Sequence, residues 1–438
     1  MDGKMRGFLT SPTVLLVLLA LVTLSVLSVL PGPPVLSGLP VGRALAAEKV
    51  ELTFWSWRTE DTVAYDKFIK AFEAKHPEIT VKFMPYKNTE YNTILSAALQ
   101  GGSGPDIVQL RSYGGFEPYA EAGYLVPLDE KVPALKDFPA IPLSGARDRK
   151  DGKVYGVPFA VQSLQIFYNK GIFSKFGLKE PRTWDEFLDV CKTLKSKGVI
   201  PLAQGTKDGW TLESMTGAVA PNFYGGTQFF NEVVKGKADF RDPRFVAGLK
   251  KLKELEPFFP PGYLGISYTD AQMMFVQEMA AMFIGGSYEV GYFNRQNPAL
   301  KLGVFPAPPQ KKGEPALVSV YPDGSFGISA QTKHLKEALL FINFLAAREF
   351  GQMFTDELKQ ISPIPGVTPV PGVMTEIVGL TKSSTPYIML VGFRYGQPTG
   401  SVLLQNALQG MFAGKLTSEG VADEIHAGLV KWYQPFHK

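Results

Sequence analysis

Apolar and polar residues alternate from Val50 to Trp57 (VELTFWSW), a stretch rich in aromatic residues that predicts a β-strand. From Tyr65 to His76 the apolar positions fall at 65, 68, 69 and 72, the spacing of an amphipathic helix, and Pro77 stops it. Ile79 to Met84 alternates again, and Tyr91 to Leu99 returns to helical spacing. The loop Gly101-Gly102-Ser103-Gly104-Pro105-Asp106 then leads into a strand over Ile107–Leu110, and Asp106 is expected to organise loop amides. Strand, helix, strand, helix, strand with short loops predicts a parallel α/β sheet.

Residues 151–187 are the most informative stretch. They read as a turn, a strand that stops at Pro158, a second strand, and a helix over Trp184–Lys197 with Thr183 as its cap and an acidic first turn. Further on, strands are expected at Lys301–Pro306 and Ser325–Ala330, and one long amphipathic helix at Leu335–Phe354. Two closing helices are expected at Ser401–Met411 and Val421–Tyr433. No repeat of solenoid length is visible.

The 438 residues suffice for two sizeable cores, and 45% hydrophobic with 20% charged residues marks a globular chain. A net charge of +4 without a clustered basic face argues against nucleic acid as a partner. Lys4 and Arg6, the apolar run Thr13–Leu30 and the pattern Ala44-Leu45-Ala46-Ala47 predict a signal peptide over 1–47, with export to the periplasm or cell surface. The Pro/Gly-rich stretch Pro31–Gly42 leaves an uncleaved anchor open as the alternative. No cysteine follows the apolar run, so anchoring through a lipidated cysteine is not expected. Cys191, the one cysteine, falls on a helical core stripe with Phe187, Leu188 and Leu194.

No enzyme motif is present. Gly410–Leu416 resembles a phosphate loop but lacks one spacer and the Ser/Thr after Lys415. His76, His334, His426 and His437 lie in polar helix-end or tail contexts. No catalytic residue, metal or cofactor is expected.

Tyr155-Gly156-Val157-Pro158, Tyr168-Asn169-Lys170 and Pro181-Arg182-Thr183-Trp184-Asp185-Glu186, with Gly104-Pro105-Asp106-Ile107 before them, resemble the family 1 extracellular solute-binding proteins of ABC importers, the group that includes maltose-binding protein. The resemblance implies a periplasmic-binding-protein type II fold, two discontinuous α/β lobes with crossovers near 158–160, 323–326 and 363–370. The first lobe would comprise 48–158 and 325–365, the second 159–324 and 366–438. It further implies hinge closure on a carbohydrate, delivery to a membrane permease, and a mature form that is monomeric. An exported hydrolase or lyase using the same cleft is the rival reading.

Sugar recognition needs flat rings for C–H faces and planar donors and acceptors for hydroxyls. Trp57 and Arg58 close the first strand, and Gln109 and Arg111 emerge at the end of the third. By the resemblance, Gln162 stands where maltose-binding protein has a sugar-bonding glutamate, and Trp210 matches an aromatic of the second lobe. The strand Glu278–Gly286 would deliver Tyr288 and Glu289 to the cleft, with tyrosine where the family usually has tryptophan. Asp323 sits at the second crossover, and Arg394 and Tyr395 fall where relatives supply third-segment contacts. Gln162, Leu110 and Tyr288 together argue against maltose itself, and three arginines among the candidates hint at an acid group on the ligand.

Overall fold

The computed structural model describes residues 49–437; the expected signal peptide lies outside them. In chain order the strands are β1 (Val50–Ser56), β2 (Ile79–Pro85), β3 (Ile107–Arg111), β4 (Val157–Pro158), β5 (Val161–Asn169), β6 (Ile200–Leu202), β7 (Ala280–Gly286), β8 (Leu302–Phe305), β9 (Val318–Pro322), β10 (Gly324–Ile328) and β11 (Ser384–Pro386). They form two sheets. The first has the order β2-β1-β3-β10-β4, the second β11-β9-β5-β7-β6 with β8 also on β5.

In the first sheet the expected parallel pairing holds for β1, β2 and β3, where Phe54 lies opposite Phe83 and Ile107. β10 runs antiparallel to both β3 and β4, with Gly324 beside Arg111. The reason is topological: β10 enters the sheet at the edge where β3 leaves it. Alternation in β1 buries Leu52 and Phe54 beneath the helix Thr62–Lys75. Asp106 fastens strands rather than its own loop, because its carboxylate accepts from Thr53 N and Oγ1, both at 2.8 Å, and from Thr332 Oγ1 at 2.6 Å.

Each sheet carries its own core. Phe54, Phe68, Phe326 and Phe350 belong to the first, and Leu164, Trp184, Met215 and Leu408 to the second. Cys191 is buried in the second core, where desolvation pushes its thiol up. The helix starting at Trp184 is capped as expected, Thr183 Oγ1 accepting from Glu186 N at 3.3 Å.

The helix expected over 335–354 is two helices, Leu335–Leu345 and Arg348–Leu358, broken where Ala347 turns extended at ψ 148°. Residues six apart lie about 120° apart around one helix and do not meet. The break instead brings Phe344 and Phe350 together at 5.8 Å between ring centres. Neither Ala346 nor Ala347, the two residues between the helices, signals the break, so packing decides it.

The connections between the sheets run side by side. Asp323 N donates to Ala160 O at 3.0 Å, Phe159 N to Gly324 O at 3.2 Å, and Val161 N to Ile361 O at 2.9 Å. The third passage is spread out: Ile361 packs with Met374 and Ile377, while Ile364 belongs to the first core.

Candidate functional site

The first sheet contributes the loops that follow β1 and β2 and the end of β3, the carboxyl ends at which open α/β sheets bind ligands. They supply Trp57, Arg58, Asn88 and Arg111 to one wall of a cavity of about 430 Å³. The opposite wall comes from the helix Gly209–Val219 with Trp210 and Glu213, the helix Tyr268–Val276 with Tyr268, and Tyr288 just past β7. Tyr321 and Asp323 close the floor at the crossing, and Tyr387 and Arg394 complete the rim. The volume falls within the roughly 300–1,000 Å³ of small-molecule sites.

The rings are arranged as a ladder. Trp210 meets Tyr268 edge-on at 4.5 Å and Tyr288 at 6.5 Å, and Tyr321 lies 5.1 Å from Tyr387. Gly286 makes room for Tyr288: a Cβ there would sit 2.1 Å from the tyrosine's own ring. Burial, helped by the neighbouring Glu289, pushes the Tyr288 phenol well up, so it stays a neutral donor and acceptor.

The arginines differ. Arg58 is buried and fixed by three carboxylates, Asp61, Asp323 at 3.4 Å and Glu60 at 3.7 Å. Arg111 lies over the Trp57 ring at 4.4 Å and donates to Asn92 Oδ1 and Asn88 Oδ1, both at 3.1 Å. Burial, with Arg394 nearby, lowers it to about 10. Arg394 donates through Nε to Ser401 Oγ at 3.1 Å.

Seven of the eleven expected residues therefore line one cavity: Trp57, Arg58, Arg111, Trp210, Tyr288, Asp323 and Arg394. Four do not. Gln109 is fully buried under the first sheet, accepting from Ser56 Oγ and donating to Tyr65 Oη, each at 2.6 Å. Gln162 is likewise buried, its amide spent on Asp323 at 3.1 Å, Gln360 at 2.7 Å and Ser287 at 2.6 Å. Glu289 stands behind the wall, accepting from Gln272 at 2.6 Å and Tyr268 at 2.9 Å. Burial outweighs those bonds and pushes it up to about 8. Tyr395 packs against the Arg149 guanidinium at 3.1 Å, away from the cavity. For Gln109, Gln162 and Glu289 buried partners claim the polar atoms, whereas the Tyr395 hydroxyl donates to Val391 O one helical turn away at 3.3 Å and its ring is covered by Arg149.

Tyr268, Tyr292, Tyr321, Tyr387, Asn88 and Glu213 line the cavity without having been singled out from the sequence. Only Tyr321, two residues before Asp323, carried a positional signal. Glu117, Glu121 and Asp148 bring carboxylate atoms within 4.8 Å of one another but do not line the cavity. Arg149 holds Glu117 at 3.1 Å, and Lys150 holds Glu121 at 3.5 Å. Among the described residues no helix is long and apolar enough to cross a membrane.

Residues 55–351 match the family described as bacterial extracellular solute-binding protein. The chain is 30% identical over 322 residues to the multiple sugar-binding protein of Streptococcus mutans, covering 70% of this chain and 74% of that one. It is 24% identical over 248 residues to the maltotriose-binding protein of Pyrococcus abyssi, covering 56% and 50%. Among solved structures, a chitin oligosaccharide binding protein superposes with a TM-score of 0.77 at 25% identity, over 88% of this chain and 100% of that one. The solute-binding protein RafE in complex with raffinose gives 0.76 at 25% identity, over 89% and 100%. With its two sheets, the cavity between them and a family match spanning most of the described residues, the chain belongs to the bacterial extracellular solute-binding proteins.

Proposed function

We propose that the protein captures a sugar in the cavity between its two sheets and delivers it to the permease of an ABC importer. The observation that carries this reading is the lining: the rings of Trp210, Tyr268, Tyr288, Tyr321 and Tyr387 interleaved with Asn88, Glu213, Asp323 and the arginines. Rings stack on the C–H faces of a pyranose, and the polar groups meet its hydroxyls. Side-by-side crossings between the halves support a hinge, and a ligand touching both walls would favour the closed state. Family membership supports export and a receptor role, as do relatives named for binding sugars.

Isothermal titration with neutral and acidic mono- and disaccharides tests the proposal, with chromatography of each sample after overnight incubation. Saturable binding with the sugar recovered intact is the expected result. Conversion of the sugar would favour a hydrolase or lyase instead, and absence of binding across the panel would refute capture of a sugar.

A further inference from the structure

The charged groups lining the cavity are not equivalent. Arg58 is neutralised by Asp61, Asp323 and Glu60. The other acidic residues there are also engaged. Asp208 accepts from Tyr268 N at 2.8 Å, and Glu213 accepts from Ser401 Oγ at 2.7 Å and Gln405 Nε2 at 2.6 Å. Arg111 and Arg394 alone among the cavity arginines form no ion pair among the described residues; their protein partners are the neutral Asn88, Asn92 and Ser401.

Arg111 and Arg394 both line this one cavity, and of the acidic residues there Asp323 is the one whose charge favours the Arg111 guanidinium, without forming an ion pair with it. Arg111 comes from the end of β3 and Arg394 from the segment after the helix Ile388–Gly392, so the pair bridges the two halves. Trp57 supports Arg111 from below, and Gly114 lets the Arg394 backbone approach so closely that a Cβ at 114 would lie 2.1 Å from its carbonyl oxygen. An arginine fork matches an oxyanion bidentately, and an anion between two such forks relieves their repulsion.

We infer that Arg111 and Arg394 form an oxyanion subsite, and that the sugar this protein takes bears an acid group bound between them. This rests on the sugar-binding reading above. The three arginines anticipated from the sequence reduce to two, because Arg58 already has its counterions.

The test pairs each neutral sugar with its acidic forms in isothermal titration at low salt. Galactose, galacturonate, galactose 6-phosphate and galactose 6-sulfate make one set, the corresponding glucose derivatives a second, and cellobiose with cellobiouronate a third. The acidic member of at least one set is expected to bind roughly thirtyfold or more tightly than the neutral one. Which acid wins separates carboxylate from phosphate and sulfate. Arg111→Gln and Arg394→Gln should each remove that preference, while Arg394→Lys keeps part of it. Far-UV spectra and melting checks confirm that the variants fold, and using two sites guards against one failing. Neutral sugars binding as tightly as their acidic partners would overturn the inference and leave sugar capture standing. Binding of no sugar in any set would overturn both.

Discussion

Gln162→Leu removes the side chain that ties the crossings together. In the folded protein the Gln162 amide donates to Asp323 and Gln360 and accepts from Ser287, all at 3.1 Å or less. Asp323 keeps Arg58 when the amide is lost, but Gln360 Oε1 and the Ser287 hydroxyl proton are left buried without partners. Each such group costs about 1–3 kcal/mol. The added apolar surface of leucine returns about 1 kcal/mol, so a net loss of about 1–5 kcal/mol, centred near 3, is expected. With an m-value of roughly 3 kcal/mol/M for a chain of this size, the urea midpoint should fall by about 1 M. Tryptophan fluorescence against urea measures it. A midpoint within about 0.2 M of the parent would refute the claim that Gln162 is a structural tie. Gln162→Glu should also weaken the protein, more at pH 8 than at pH 5, because it sets a second carboxylate beside Asp323.

Other outcomes follow from the same geometry. Glu289 is pushed up to about 8, so the folded state holds a proton that the unfolded state releases near the usual carboxylate range. The stability this gives is complete below that range and is lost as pH rises through about 8. Melting temperature should therefore fall between pH 5 and 8.5, and Glu289→Gln should flatten that slope. Trp210→Ala and Tyr288→Ala should each weaken binding of whichever sugar titrates by about 2–4 kcal/mol, read by calorimetry; unchanged affinity in both would remove them from the site. Gly286→Val should displace the Tyr288 ring and lower affinity with little loss of secondary structure, since the clash is with a side chain at the cavity wall. The Cys191 thiol should resist a disulfide reagent in native protein and react once the protein is unfolded in urea.

Much of the first sheet was legible because its signals are local. Alternation in VELTFWSW, the stop at Pro77 and the glycine loop before Ile107 each act within a few residues, and β1, β2 and β3 lie where they indicate. The segment 151–187 was equally legible, since Pro158 and Thr183 fix a strand end and a helix start by their own backbone chemistry. The break at Ala347 was not, because it answers to Phe344 and Phe350 packing on a distant core. The site divided in the same way. Strand ends told which residues approach the space between the sheets, and seven of them line it.

The sequence by itself determined most of the α/β elements, because helix and strand periods and turn residues are short-range properties, and its motifs carried the resemblance to the family. Only the tertiary structure decided which polar atoms between the sheets are free. Gln162 meets Gln360 across 198 positions and Arg58 meets Asp323 across 265, and these partners take both out of play as bare donors. Arg111 and Arg394 are left with neutral partners in one cavity. The physical reason is that a buried polar group must be paired, and its partner is chosen by three-dimensional proximity, which local patterning does not encode.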